Sequence, residues 1–349
     1  MLALLQEAVV ITLGTASGRF SGVKLLSGLA ALAGIGMMSP SLAQAQGRIA
    51  FEGKLASPLL GGHRVIHIRV PASYDTDTSR RYPVLYVHDG QNAFTTAGTN
   101  VAFGWGNWEL DRTVDQLERQ RRMREIIVVA VDATVQRYAE YRGPARPYTA
   151  EQLARLKRRP PAPGDDGPFR TYARFLIEEL KPKIDREYRT LSGPSDTGLL
   201  GSSLGGICSL ALAWDHPDRF GLVASLSGAF QVEDRYLLEA ILRVYQGPPK
   251  PLRIYLDSGV IDFTGSDDGR KDTEAVAERL RRIGWRDAVD LVHFVDALTI
   301  READLPGTGL RRDKWEETQT SQHNEFYWRL RVWRPLVFLF PPEAATEKP

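Results

Sequence analysis

The sequence predicts one α/β domain, a mostly parallel central sheet with helices on both faces. Three observations point there. After residue 45, segments with strand-like and helix-like patterning alternate along the chain. Two of the strand-like segments, Pro83–His88 and Ile126–Val131, are unbroken apolar runs, the pattern of strands covered on both faces. The composition, 43% apolar and 25% charged over 349 residues, is that of a soluble protein able to bury a full core as one large unit.

The elements follow in order. Residues 63–70 alternate inward and outward side chains and read as an early antiparallel strand. The run 83–88 ends at Asp89-Gly90 and the run 126–131 at Asp132, with a helix expected over 107–123 between them. A Pro-rich stretch, 158–167, reads as a surface loop, and 169–188 has the apolar spacing of an amphipathic helix. Further strands are expected at 197–200, 222–226, 252–256 and 289–295, and helices at 204–215, 271–283 and 324–340. The chain has no internal repeat. In such a sheet the chemistry is expected where loops converge, at the carboxyl ends of the strands.

Charge and cysteine count narrow the function classes. Lys plus Arg (45) nearly cancels Asp plus Glu (43), so the net charge of +2 carries no footprint of a nucleic-acid binder. The one cysteine, Cys208, allows no intrachain disulfide and no cysteine-based zinc site. Residues 25–38 form a short apolar run preceded by Arg19 and Lys24 and followed by Ala43-Gln44-Ala45. That is the build of a secretory signal, too short to span a bilayer, with cleavage expected after Ala45. Residues 1–22 make an untidy leader, which leaves Val23 as an alternative start. The expected organisation is therefore a leader, 1–45, and a single domain, 46–349, exported to the periplasm or beyond, with no membrane span after cleavage.

Gly201-Ser202-Ser203-Leu204-Gly205 fits Gly-x-Ser-x-Gly between an expected strand and an expected helix. This is the context of a nucleophile elbow, where a turn too tight for side chains on its flanks exposes the serine Oγ at the strand's end. Ser203 is the candidate nucleophile. Ser202 fails the pattern, because its flanking positions are Leu200 and Leu204. A plain strand-to-helix turn is the bland alternative, and it gives no reason for glycines at both positions.

Six histidines compete for the base. His63 and His67 lie in the early strand, His88 ahead of a turn, His216 at a helix end, and His293 within a strand. His323 alone falls between the last expected strand and the final helix, where the base follows nucleophile and acid in chain order. The acid is expected after the strand 252–256, where a carboxylate can hold the imidazole tautomer. Asp257 abuts that strand, and Asp262 lies beyond a Gly259 turn and is favoured; Asp267 and Asp268 read as a solvated loop. Backbone N–H groups of Gln91, beside the permissive Gly90, and of Leu204, at a helix start, are the expected oxyanion donors.

With these residues in place the chain resembles the esterase family that includes enterobactin-type siderophore esterases, feruloyl and acetyl-xylan esterases, S-formylglutathione hydrolase and the antigen 85 mycolyltransferases. The resemblance runs from about Arg81 to Phe340 and is carried by Tyr-Pro-Val-Leu-Tyr-Val-His-Asp-Gly-Gln-Asn-Ala-Phe (82–94), Phe-Leu-Ile-Glu-Glu-Leu-Lys-Pro-Lys-Ile-Asp-Arg-Glu-Tyr-Arg-Thr (175–190), Gly-Ser-Ser-Leu-Gly-Gly (201–206), and His-Asn-Glu (323–325) leading to Trp328 and 335–340. It implies the α/β-hydrolase fold, an acid at Asp262, an oxyanion donor at Gln91, and no metal or organic cofactor. One departure is the long polar segment 296–322, which is expected to form part of a lid.

The expected chemistry is acyl transfer from a small-molecule or saccharide ester, through an acyl-enzyme on Ser203, to water. Two alternatives stand beside it, an acyltransferase that uses a sugar hydroxyl and a non-catalytic binding domain on a hydrolase scaffold. Arg137, Tyr141 and Trp105 are further candidates for the pocket.

Overall fold

The computed structural model describes residues 46–145, 167–262, 265–297, 302, 310, 312–318 and 321–343. The leader 1–45, all but the last residue of the expected loop 158–167, and most of the lid segment lie outside these. Eight strands form one sheet: β1 (Arg48–Ser57), β2 (Gly62–Val70), β3 (Val84–His88), β4 (Ile127–Val131), β5 (Thr197–Ser202), β6 (Leu222–Leu226), β7 (Arg253–Gly259) and β8 (Leu291–Asp296), in the order β1-β2-β4-β3-β5-β6-β7-β8. From β4 to β8 every neighbouring pair is parallel, whereas β2 runs antiparallel to both β1 and β4. β1 has no clear apolar alternation and was not foreseen. It forms by pairing with β2 across the turn that closes at Gly61.

Period-2 geometry explains the unbroken apolar runs. Val84 and Tyr86 of β3, Ile127, Val129 and Val131 of β4, and Leu199 of β5 enter one core cluster; Leu85, Val87, Val128, Ala130 and Leu200 enter the other. Each strand thus buries two faces. The first cluster is closed by α3, which runs Gly167–Arg174, Phe175–Leu180 and Lys181–Glu187, by α4 (Leu204–Asp215) and by α5 (Arg270–Ile283). The second is closed by α1 (Leu110–Arg119), α7 (Glu325–Arg331) and α8 (Trp333–Leu339). Two short helices, α2 (Arg137–Tyr141) and α6 (Arg312–Thr318), lie in the long connections.

Prolines account for two departures from the expected helices. The middle of α3 widens to π geometry just before Pro182, which has no N–H to continue the α ladder. The single helix expected over 324–340 is two, broken at Val332, because Pro335 cannot donate to the Arg331 carbonyl.

The chain passes from β3 to β4 on one side and then returns to place β5 on the other. This reversal leaves a crevice at the carboxyl ends of β3 and β5, where ligands bind in open α/β sheets. Because β5 is covered on both faces, Leu199→Ala and Leu200→Ala should each destabilise the fold by roughly 2–5 kcal/mol. Phe51→Ala on the exposed side of the edge strand should cost under about 0.5 kcal/mol. Denaturant unfolding of the three variants checks this; equal midpoints for Leu200→Ala and wild type would contradict two-sided burial.

Candidate active site

The site is built on the turn from β5 into α4. Ser203 occupies that turn at φ 54°, ψ −121°, a conformation costly for a residue with a side chain. Backbone bonds hold it there: its N–H donates to the Leu226 carbonyl (3.0 Å), and its own carbonyl accepts from Ala229 (2.9 Å) and Gly206 (3.0 Å). The turn is tight enough that a Cβ on Gly201 would sit 2.5 Å from the Gly205 carbonyl. Ser203 is half-buried, whereas Ser202 is 2% exposed and packed inside.

His323 precedes α7. Asn324 caps that helix, its side chain accepting from Tyr327 N–H (3.2 Å) and donating to the Ser321 carbonyl (3.1 Å). Gln322 pins the approach: its N–H donates to the Ile261 carbonyl (2.8 Å), its Oε1 accepts from Val260 N–H (2.6 Å), and its Nε2 donates to the Asp296 carbonyl (3.1 Å). The two ends of the segment 296–322 are therefore tied together. The His323 ring stands edge-on to Trp328, with centroids 5.1 Å apart.

Ser203 and His323 meet: the serine Oγ lies 2.9 Å from Nε2. The other ring nitrogen, Nδ1, lies 2.5 Å from Asp268 Oδ1. An ionised carboxylate only accepts, so Nδ1 carries the proton and Nε2 is left to accept from the serine hydroxyl.

The carboxylate that faces His323 therefore differs from the one the sequence favours. Asp262 is not the partner of His323, because its carboxylate turns back on its own loop: Oδ1 accepts from Ser266 N–H (2.9 Å), and its backbone bonds to Ser266 and Gly265 close the turn. That turn redirects the chain so that Asp268, six residues later, reaches the imidazole. Asp268, read from sequence as solvated, is 1% exposed. Its Oδ2 accepts from Ser227 Oγ–H (2.6 Å) and from Gly259 N–H (2.5 Å). A Cβ on Gly259 would lie 2.7 Å from that oxygen and 2.7 Å from the Gln322 Cβ, so no other residue fits between them. Asp257, the rival acid, is fully buried at the end of β7 and contacts Arg331 Nη2 (3.1 Å) and Tyr255 OH (3.1 Å).

Two of the remaining histidines have partners other than Ser203. His67 bridges Glu52 and Asp132. His88 is buried with Nδ1 3.0 Å from Tyr172 OH, and burial lowers its pKa to about 4, which keeps it neutral. Among the described residues, no group of three or more His, Cys, Asp or Glu is placed to hold a metal ion.

Because β3 is the direct neighbour of β5, the turn carrying Gln91 lies beside the elbow. A Cβ on Gly205 would sit 3.1 Å from the His88 Cβ and 3.4 Å from Asp89 Oδ2. Gln91 is held by its side chain, whose Oε1 accepts from Ala133 N–H (2.9 Å). Leu204 is the first residue of α4, where a backbone N–H has no acceptor within the helix.

A second set of charges borders this turn and had no local sequence signal. Arg137 donates from Nε and Nη2 to both Asp89 oxygens (2.6 and 2.8 Å), and its guanidinium lies 5.7 Å from the Tyr141 ring centre. Asn92 Nδ2–H donates to Glu325 Oε1 (3.2 Å). Burial pushes the Glu325 carboxyl up to about 7, and the nearby Asp89 carboxylate adds to the rise. Trp105, the third pocket candidate, carries the Lys314 ammonium of α6 4.8 Å from its ring centre.

Glu325 gives a pH prediction. The folded chain holds this proton up to about pH 7 and the unfolded chain only to 4.5, so the stabilisation is full below 4.5 and lost as pH rises through 7. Glu325→Gln cannot lose it. The melting temperature of the variant minus that of wild type should grow more positive between about pH 5 and about pH 8. A difference independent of pH would rule out the raised carboxyl.

Comparison with known proteins bears on the family and the fold. The family model described as "Putative esterase" matches residues 57–292. Two Bacillus subtilis (strain 168) proteins are similar in sequence: YbbA, 24% identical over 63% of this chain and 75% of its own length, and YjcH, 25% identical over 61% and 78%. A ferulic acid esterase superposes with TM-score 0.57 at 17% identity, covering 84% of this chain and 98% of its own. The enterobactin esterase FES from Shigella flexneri gives 0.57 at 18%, covering 84% of this chain and 58% of that protein. The IroE-like serine hydrolase from Shewanella oneidensis gives 0.51 at 16%, covering 71% and 73%. At these identities the superpositions speak to the fold, which is that of the α/β-hydrolases, and the family match, which spans most of the chain, speaks to kinship: the chain belongs to this esterase family.

Proposed function

We propose that the protein is a serine carboxylic-ester hydrolase in which Ser203 is the nucleophile, His323 the general base and Asp268 the acid that orients it. The observation that carries the reading is the continuous relay Ser203 Oγ, His323 Nε2, His323 Nδ1, Asp268 Oδ1, at 2.9 and 2.5 Å. Ser203 attacks the ester carbonyl as its proton passes to Nε2. The imidazolium so formed lies against the Asp268 carboxylate and then gives the proton to the leaving alcohol. Water, deprotonated in turn by His323, releases the acid from the acyl-enzyme. The backbone N–H groups of Leu204 and Gln91 are assigned to the oxyanion, supported by their positions at the start of α4 and in the adjoining turn.

The substrate is proposed to be an extracytoplasmic ester, a siderophore, a feruloyl or acetyl saccharide, or a cell-envelope ester. The signal-like composition of residues 25–45 supports export. Relatives named for ferulic acid and enterobactin suggest aryl and siderophore esters as the first to try. Within the segment 296–322, α6 is assigned to the pocket's cover, supported by Lys314 and Trp315, which pack toward Trp105, Phe326 and Tyr327.

Fluorophosphonate labelling and turnover of a panel of aryl, acetyl and siderophore esters test the reading. Ser203→Ala should abolish labelling and reduce hydrolysis by at least about 10³-fold, and Asp268→Asn should lower kcat by about 10²–10⁴-fold. Asp262→Asn should stay within about threefold of wild type, since it lies outside the relay. Hydrolysis that survives Ser203→Ala, or a larger loss at Asp262 than at Asp268, would overturn the assignment.

A further inference from the structure

Behind the relay lies a charge arrangement that the chemistry above does not use. Arg331 of α7 is fully buried, and Asp257 and Asp268 flank it with fully buried side chains. Its Nη2 makes all the contacts: 3.1 Å to Asp257 Oδ1, 3.9 Å to Asp268 Oδ2, and a bond to Ser227 Oγ (2.5 Å). Nε and Nη1 have no hydrogen-bond partner among the described residues. A guanidinium held through one nitrogen is held by charge more than by a fitted fork. Ser227 is the junction: its Oγ donates to Asp268 and accepts from Arg331 and from Trp328 Nε1 (3.1 Å). Its N–H donates to Asp257 Oδ1 (3.2 Å).

We propose that Arg331 is a positioning residue for the relay, holding Asp268 aimed at His323 through Ser227, and that Asp257 is the counter-charge that offsets Arg331 beside Asp268. The inference rests on the serine-hydrolase reading above. The charged and titratable groups around Arg331 are Asp257 and Tyr255 from β7, Asp268 from the loop before α5, Asp296 from β8 and Arg334 from α8. Glu325 of α7, with Asp89 and Arg137 beside it, lies two residues from His323 and is unchanged in every variant below. Asp296 and Arg334 pair with each other at 3.1 Å and cancel. Tyr255 is neutral, because burial raises its phenol well above the ordinary range. Two carboxylates and one guanidinium remain, a net charge of −1 facing the imidazole once the pH is high enough for Asp257 to be ionised. That negative charge favours the imidazolium on which the transfer depends. Burial also lifts the Asp257 carboxyl to about 6, against the pull of Arg331, so the counter-charge is held at the edge of protonation.

The sign of the charge can be varied, which separates this role from packing. The readout is the rate of fluorophosphonate labelling against pH, whose acid limb reports the base. Arg331→Met removes the positive charge, and its acid limb should move up, by at most about one pH unit because Asp257 without the pull of Arg331 takes up its proton more readily. Asp257→Asn, nearly isosteric, leaves less negative charge, and the limb should move down by about half a unit. The double variant restores the net charge and should return within a few tenths of a unit of wild type. Arg331→Lys keeps a single-nitrogen cation and should keep the wild-type profile. Single variants that lower the rate without moving the limb, or that move it in the same direction, would refute the positioning role. Asp257→Asn and Arg331→Lys keep the test open if Arg331→Met fails to fold. Wild type that takes no label would sink the serine reading and this inference together, while normal labelling with unmoved limbs would sink this inference alone.

Discussion

A carboxylate with no access to water is stable only if its surroundings replace the lost solvent, and Asp268 is such a group, its side chain 0% exposed. One oxygen faces the imidazole and the other takes a hydroxyl and a backbone N–H, with Arg331 within 3.9 Å. Nearly every unusual feature around the site serves that arrangement. Gly259 lacks a side chain so that the Asp268 oxygen can reach its N–H. Ser227 is buried where a larger residue would separate Asp268 from Arg331. The sharp turn at Asp262 spends a carboxylate on bending the chain so that a later one can enter.

Ser203 depends on the opposite condition, partial exposure under backbone strain. It holds a positive φ because four backbone hydrogen bonds, to Leu226 at the end of β6, to Ala229 just beyond it, and to Gly206 and Ile207 of α4, leave its turn no alternative. Such strain persists only where the surrounding structure over-determines it. The parallel sheet supplies that rigidity, since β5 is paired on both edges and packed on both faces. The reversal of strand order next to β5 then supplies open space above it and the neighbouring turn of Gln91.

The parts of this design legible in the sequence were those written in local patterns. The apolar runs gave the central strands because two-sided burial removes alternation, and Gly201 and Gly205 marked the elbow because the turn excludes side chains. His323 was recoverable by chain order. The carboxylate facing it was not, because what distinguishes Asp268 from Asp262 is which way a loop bends between β7 and α5, and that shows only in contacts with Gly259, with Ser227, 41 positions away, and with His323, 55 positions away. The same holds for Asp89 with Arg137 and for Glu325 with Asn92, the latter 233 positions apart. β1 was missed for another reason, since an edge strand half open to solvent needs no apolar alternation. The split of the last helix was readable in principle at Pro335, whose missing N–H forbids the continuous ladder.

The bond from Gln322 to the Asp296 carbonyl, with its companions to Val260 and Ile261, fastens both feet of the intervening stretch to the sheet before His323 begins. The contacts that aim the imidazole thus sit at the foot of the stretch, outside it, and the entropic cost of closing a longer chain across such a clasp grows only slowly with length. On the reading proposed above, positioning of the base and the length of that stretch are separate variables.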